Sequence, residues 1–346
     1  MDRLIQESPE GIYCPAGGFY VDPWKPADFA VITHGHSDHA RWGSKKVLTA
    51  ESGTSLVQAR VGNQTRVQGI PFGETLVHKG VKISLHPAGH ILGSAQVRLE
   101  HKGEVAVISG DYKTQADPTC EDFEPVPCHT FITESTFGLP IYRWQPHDIL
   151  FEEINGWWRN CQAQEKTAVI FAYALGKAQR ILGGVDRSIG PILVHGAVHR
   201  FLEDYQQQGI DLPEAAHASV ENAKSTQGRA LLVAPPSAMG TPWLKKFRPL
   251  SLAFASGWMA VRGTRRRRSM DKGFVVSDHA DWEGLLGAIE TTGAERIGVT
   301  HGHGEVLVRW LQEQGKEAWK LKTRFAGEAA EDPSSEESEE FGEDSS

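Results

Sequence analysis

The stretch Thr33-His34-Gly35-His36-Ser37-Asp38-His39-Ala40 follows the apolar run Phe29-Ala30-Val31-Ile32 and decides how the rest of the chain is read. It has the form HxHxDH, with four potential metal ligands within six residues. Along extended backbone, positions i and i+2 face the same side, so His34 and His36 can close on one ion. A turn through Ser37 can send Asp38 and His39 toward a second ion. Imidazole and carboxylate donors suit Zn²⁺, Mn²⁺ or iron rather than Ca²⁺. The bland alternative is a polar turn with surface histidines, and four ligands this close together disfavour it.

Working outward, three more segments end apolar runs in the same way. His86-Pro87-Ala88-Gly89-His90 places a histidine among small residues, where backbone can approach an ion closely. Val107-Ile108-Ser109-Gly110-Asp111 puts a carboxylate directly after a strand and a glycine. Val299-Thr300-His301-Gly302-His303 supplies two late histidines, of which His301 is favoured because it directly follows the strand. His86 and His303 are read as ordinary polar residues beside better candidates. Asp111 is suited to bridge two cations. Two ions about 3.5–4 Å apart can lower the pKa of a water and stabilise both oxygens of an in-line phosphoryl displacement.

Phe29–Thr33, Val105–Ile108 and Phe131–Thr133 read as buried strands of a covered sheet. Between Gln145 and Gly263 the texture changes. Strands at Thr167–Phe171, Ile192–Val194 and Leu231–Val233 alternate with helical spacing at Leu175–Leu182 and Val198–Gln207. That βαβαβ rhythm predicts a small parallel α/β unit. Phe274–Val276, Ile297–Val299 and a helix around Glu305–Gln314 form a last block, which the metal-ligand argument returns to the first.

The chain has 346 residues and a net charge of -8. Nine acidic residues and no lysine or arginine lie from Glu328 onward, so the body is near neutral and the Ser/Glu-rich end is expected to be disordered. No apolar run approaches a membrane span. Met1–Glu7 lacks the features of a signal peptide, and four cysteines without CxxC spacing predict reduced thiols in a cytoplasmic protein.

With these residues in view, the sequence resembles the metallo-β-lactamase superfamily and, within it, the β-CASP nucleases. Asp22 matches the first motif. His34, His36, Asp38 and His39 match the second, His90 the third and Asp111 the fourth. Thr133-Glu134-Ser135-Thr136, Ser277-Asp278-His279 and Thr300-His301-Gly302 look like the three motifs added in the β-CASP branch. Glu134-Ser-Thr-Phe-Gly-Leu-Pro-Ile-Tyr-Arg-Trp144, Ala255-Ser-Gly-Trp-Met259 and Ser277-Asp-His-Ala-Asp-Trp282 resemble bacterial ligase-associated DNA exonucleases. The second histidine, His303, departs from that pattern.

The resemblance implies an αββα sandwich with an inserted α/β β-CASP domain. Its boundaries are expected at 1–144 and 264–327 for the sandwich, 145–263 for the insertion and 328–346 for the tail. It implies two divalent metal ions, Zn or Mn. His34, His36 and His90 would hold one, Asp38, His39 and His301 the other, and Asp111 would bridge. Asp38, Asp111, Glu134 and His279 would be catalytic, His279 at the scissile phosphate beside Glu134, and Asp22 would orient a histidine. The implied activity is hydrolysis of single-stranded DNA by a metal-activated water, as an exonuclease in repair, with an ATP-dependent ligase and a helicase as partners. RNA processing by the same fold is the alternative, and His301 favours it.

Other classes fit less well. Thioester or lactam hydrolysis shares HxHxDH but leaves Glu134, His279 and the insertion without a role. A scaffold that has lost its ligands is disfavoured because every ligand position is filled. For the nucleic-acid backbone, Arg262, Arg265, Arg266, Arg267 and Arg268 are candidate phosphate contacts. So is Lys177, in a loop opening a helix, although the loop lacks the Walker A pattern. Trp144, Trp258 and Trp282 could stack bases, with core packing the expected role for each.

Overall fold

The computed structural model describes residues 4–226, 228–261 and 270–323. The basic run Arg262–Arg268 and the acidic end lie outside these residues.

The chain begins with a six-stranded sheet of β1 (Gln6–Ser8), β2 (Gly11–Cys14), β3 (Phe19–Val21), β4 (Phe29–Val31), β5 (Lys46–Ala50) and β6 (Arg66–Ile70), in that spatial order. It continues into a second sheet with β7 (Thr75–His78), β8 (Val81–Pro87), β9 (Ala95–His101), β10 (Glu104–Ile108) and β11 (Thr130–Thr133). There it leaves, and β12 (Thr167–Phe171), β13 (Ile192–Val194), β14 (Ala215–His217), β15 (Leu231–Ala234), β16 (Leu250–Ala255) and β17 (Lys272–Phe274) form a third sheet. The chain then returns, and β18 (Arg296–Val299) and β19 (Glu317–Lys320) complete the second sheet beside β11.

The first two sheets face each other. Val21, Val31, Leu48 and Ile70 from one meet Ile83, Leu85, Val97, Leu99, Ile108 and Ile132 from the other in a single apolar cluster. Their outer faces are covered by helices. Val57 and Val61 of α1 (Thr54–Val61) pack on Ala30 and Val47. On the far side Trp282 and Ile289 lie against Val107, Phe131 and Ile297, as do Leu307 and Leu311. The result is an αββα sandwich, as expected from the sequence.

The third sheet is parallel throughout. Its inner strands β12, β13 and β15 are buried and apolar on both faces, as a sheet covered on both sides requires. Trp158 and Ile154 of α2 (His147–Ala163) and Ile181 of α3 (Lys177–Gly184) cover one face. Leu244, Phe247 and Met259 cover the other. Leu56, Ile91 and Leu92 of the sandwich join the first of these clusters, so the two units share apolar packing beside the histidine loops.

Two expectations need correction. The run near Phe274 belongs to the third sheet, because Lys272–Phe274 pairs in parallel with Ala253–Ala255. A short apolar run does not name its sheet; hydrogen-bonding neighbours do. The continuous helix read over Val198–Gln207 is two short helices, α4 (Gly196–His199) and α5 (Leu202–Gln207), joined by a corner at Arg200 and Phe201. The remaining helices are α6 (Val220–Ser225), α7 (Trp282–Thr291) and α8 (Gly304–Glu313).

Candidate metal centre

Loops at the ends of β3, β4, β8, β10 and β18 converge at one end of the sandwich, and they carry the histidines and aspartates singled out by sequence. Ligand atoms of His34, His36, His90 and Asp111 lie within 4.8 Å of one another, as do those of Asp38, His39 and His301. Asp111 connects the two sets. Its Oδ2 is 3.4 Å from His39 Nε2, 3.6 Å from His34 Nε2 and 3.9 Å from His90 Nε2. Its Oδ1 is 3.8 Å from His301 Nε2. His303 stands outside this group, over the Tyr142 ring, and His86 pairs with Glu124.

Each imidazole is anchored at the nitrogen that points away from Asp111. His39 Nδ1 donates to Asp22 Oδ2 at 2.7 Å, and His90 Nδ1 donates to the Asp278 carbonyl at 2.7 Å. His36 Nε2 donates to the Leu175 carbonyl at 3.1 Å. Thr33 Oγ1 donates to Asp22 Oδ2, so it accepts from His34 Nδ1 at 3.0 Å. Thr300 Oγ1 donates to the Thr133 carbonyl, so it accepts from His301 Nδ1 at 2.8 Å. These bonds fix the tautomers and leave a lone pair on each ring facing inward, the arrangement that orients metal-binding histidines.

Local backbone supports this convergence. Asp22 and His301 have positive φ, 44° and 56°, which turns the chain sharply at the strand ends. Gly176, at the entry to α3, has φ of 92° and lies so close to the sandwich that an added Cβ would sit 2.4 Å from Ile91. That contact brings the insertion against the His90 loop.

The electrostatics of the buried cluster follow from its composition. Burial holds His34 well below the usual imidazole range, helped by His39 and His90. His90 falls to about 3 through burial and the adjacent His279. Burial lowers His36 and His301 as well. His39 behaves oppositely. Burial disfavours its charge, but Asp111, Asp38 and Asp22 raise it well above the usual range. For Asp111, burial acts against ionisation, and the facing His39 and His301 still hold its carboxyl well below the ordinary value. The neutral imidazoles of His34, His36, His90 and His301 around an ionised carboxylate form a donor set for divalent cations, which His39 would join when a cation takes the place of its inner proton. Among the described residues no hydrogen-bond donor reaches the buried Asp111 Oδ1, which suits a bridging ligand. The residues present therefore fit the implied ions.

Beside this set, Glu134 and His279 form a buried pair, with His279 Nδ1 2.9 and 2.8 Å from the two carboxylate oxygens. The Tyr112 backbone N–H donates to Glu134 Oε1 at 2.8 Å. Ligand atoms of Asp111, Glu134 and His279 share the same 4.8 Å neighbourhood. Trp144 steadies the loop, its indole N–H donating to the His279 carbonyl at 2.9 Å. Trp258 and Trp282 are buried in apolar clusters, in agreement with core packing.

Lys177 departs from the sequence reading. Its side chain is wholly buried, 3.4 Å from Asp278 Oδ1, rather than presented to a phosphate. A buried, neutralised ammonium packs units together. Sequence reading also gave Asp278 no role of its own, although its carbonyl anchors His90 and its carboxylate meets Lys177. Its place inside the Ser277-Asp278-His279 phrase was the available signal.

No family model matches the chain. Among known proteins it is 29% identical over 313 residues to a probable DNA ligase of Opitutus terrae, covering 90% of this chain and 30% of that protein. It is 24% identical over 161 residues to endoribonuclease YSH1 of Saccharomyces cerevisiae, covering 46% of this chain and 20% of the relative. Cleavage and polyadenylation specificity factor subunit 3 of Dictyostelium discoideum is 26% identical over 119 residues, covering 34% and 15%. The chain thus spans a third or less of the curated relatives it matches. A solved protein of unknown function from Enterococcus faecalis superposes with a TM-score of 0.57 at 10% identity, over 86% of this chain and 79% of that one, and shares its fold. In its interrupted αββα sandwich and in these relatives the chain is similar to nucleases of the β-CASP branch of the metallo-β-lactamase superfamily.

Proposed function

We propose that this protein is a metal-dependent phosphodiesterase that hydrolyses single-stranded DNA from an end, as a step in DNA repair. The observation that carries the reading is the set of five imidazoles around Asp111, each anchored at its outer nitrogen. His34, His36 and His90 would hold one divalent ion, Zn or Mn, and Asp38, His39 and His301 the other, with Asp111 between them. Such a pair, when bound, lowers the pKa of a water and offsets charge developing on a phosphoryl group. The chain's own groups then do the rest. Asp22 holds His39 in orientation. Glu134 accepts from Nδ1 of His279 and stabilises its imidazolium form, whose Nε2–H can donate to a non-bridging phosphate oxygen or pass its proton to the departing 3′ or 5′ oxygen, leaving the ring neutral.

DNA is favoured because the probable ligase carries a segment like 90% of this chain within a longer protein. That arrangement fits trimming of an end next to ligation, and a ligase and a helicase are the partners we propose. We place the sandwich at residues 4–144 and 275–323 and the insertion between them, by the sheet each strand joins. RNA cleavage is the second reading, supported by the relative named as an endoribonuclease and by His301 beside Asp111.

The test uses matched single-stranded DNA and RNA, labelled at either end and incubated with the protein in Mn²⁺ or Zn²⁺, with Asp111→Ala alongside. Mononucleotide release from DNA that the variant lacks is the expected result. Cleavage of RNA alone would transfer the protein to the second reading, and equal activity in the variant would remove the proposed centre.

A further inference from the structure

Arg60 and Arg200 meet across the junction of the two units. Arg60, on α1 of the sandwich, donates from Nε to the Gly35 carbonyl between His34 and His36, at 3.1 Å. Its guanidinium carbon lies 5.8 Å from the centre of the Phe201 ring, in the insertion. Arg200, exposed at the corner between α4 and α5, lies 4.4 Å from the same ring. Among the described residues, neither has a carboxylate within ion-pair distance. Two guanidiniums on one ring repel each other, and burial together with this repulsion lowers the pKa of Arg60. Like charges held together this way are stabilised when an anion lies between them.

The basic surface continues from Arg200. His199 is exposed next to it, with its ring 5.7 Å from that of His217, at the carboxyl end of β14. His195, at the carboxyl end of β13, lies 4.7 Å from the Trp243 ring, and Lys246 covers that indole at 4.9 Å. None of these groups forms an ion pair among the described residues. The carboxyl ends of a parallel sheet are where open α/β sheets usually take ligands. Here the line of basic side chains begins at the metal-ligand loop itself.

We infer that Arg60, Arg200, His199, His217 and Lys246 form a phosphate track that carries the sugar-phosphate backbone of a single strand away from the metal centre, with Trp243 available for base stacking. The inference rests on the nuclease reading and gives that site a direction of approach. Arginine forks match phosphate oxygens, and the half-buried indole of Trp243 offers its remaining surface to any base, so the track is tolerant of sequence. It separates the reacting phosphate, held at the histidine cluster, from the phosphates that hold the rest of the strand.

The test measures binding of the metal-loaded protein to a fluorescent phosphorothioate oligothymidylate and to the matched oligouridylate, across a salt series. Each phosphate contact on a single strand adds about 0.7 to the slope of log affinity against log salt. Arg60→Ala and Arg200→Ala are expected to lower the slope by about 0.7 each and the double variant by about 1.4. Arg200→Lys is expected to keep most of it. Arg159→Ala removes a cation already paired with Asp186, and it leaves the slope at the wild-type value. Should Arg60→Ala unfold the protein, the exposed Arg200 carries the test alone. A wild-type slope in the Arg200→Ala variant overturns the track and leaves the nuclease reading intact. Failure of the wild-type protein to bind or cleave either strand overturns both.

Discussion

His279 Nδ1 lies 2.8 Å from Glu134 Oε2, a buried contact between residues 145 positions apart. Glu134 ends a strand of the sandwich, and His279 follows the last strand of the insertion, so the pair forms only when the chain has returned from its excursion. The Nδ1 of His279 is spent on the carboxylate, and ligand atoms of the two residues lie within 4.8 Å of one on Asp111.

Removing either partner should cut turnover more than binding. His279→Ala is expected to lower kcat by about 10²- to 10⁴-fold on single-stranded DNA, the range for a lost proton donor. Glu134→Gln should give a smaller loss, because the amide still accepts from the ring but no longer balances its charge. Steady-state kinetics decide it; a kcat unchanged in His279→Ala would remove that residue from the chemistry.

Asp22 touches no substrate in this arrangement, yet it accepts from both His39 Nδ1 and Thr33 Oγ1. Asp22→Asn is expected to weaken metal retention by roughly 10- to 100-fold, as for other carboxylates behind metal-binding histidines. Metal content after dialysis against graded chelator reads this directly, without recourse to activity.

The two units are tied by a buried ion pair behind the histidine cluster. Arg180 Nε on α3 is 2.9 Å from Asp117 Oδ2, with both side chains almost fully excluded from water. Asp117→Ala leaves the guanidinium buried without its carboxylate and should cost about 3–5 kcal/mol. Denaturant unfolding should show that loss, and the double variant Asp117→Leu/Arg180→Met should recover most of it. A loss below about 1 kcal/mol for the single variant would mean that water reaches the pair.

Acid should loosen the start of α2. His147 is pushed down to about 4 by burial and by Lys113 and Arg180. Between about pH 6.5 and pH 4 the unfolded chain binds a proton that the folded chain refuses, so this residue makes stability fall as pH drops through that window. Above pH 6.5 it contributes no slope. His147→Gln should therefore lose less Tm than the wild-type protein between pH 7 and pH 5. Parallel losses in the two proteins would refute the assignment.

Local spacing determined a good deal of this protein. HxHxDH, the glycine before Asp111 and the histidine after β18 are chemistry written within a few residues, and strand-end loops display such groups wherever they occur. Parallel βαβ alternation is equally local, because buried strands must be apolar on both faces. Tertiary structure decided what depends on partners distant in sequence. Lys177 reads as a surface cation at a helix start, and only the return of Asp278 makes it a buried one. Phe274 joins the insertion because β16 is its neighbour. Arg60 and Arg200 are unremarkable in sequence and meet only because α1 and the α4–α5 corner pack around Phe201. Side-chain identity sets which contacts are favourable, whereas solvent exclusion and charge proximity are properties of the packed chain, and these decide which favourable contacts are made.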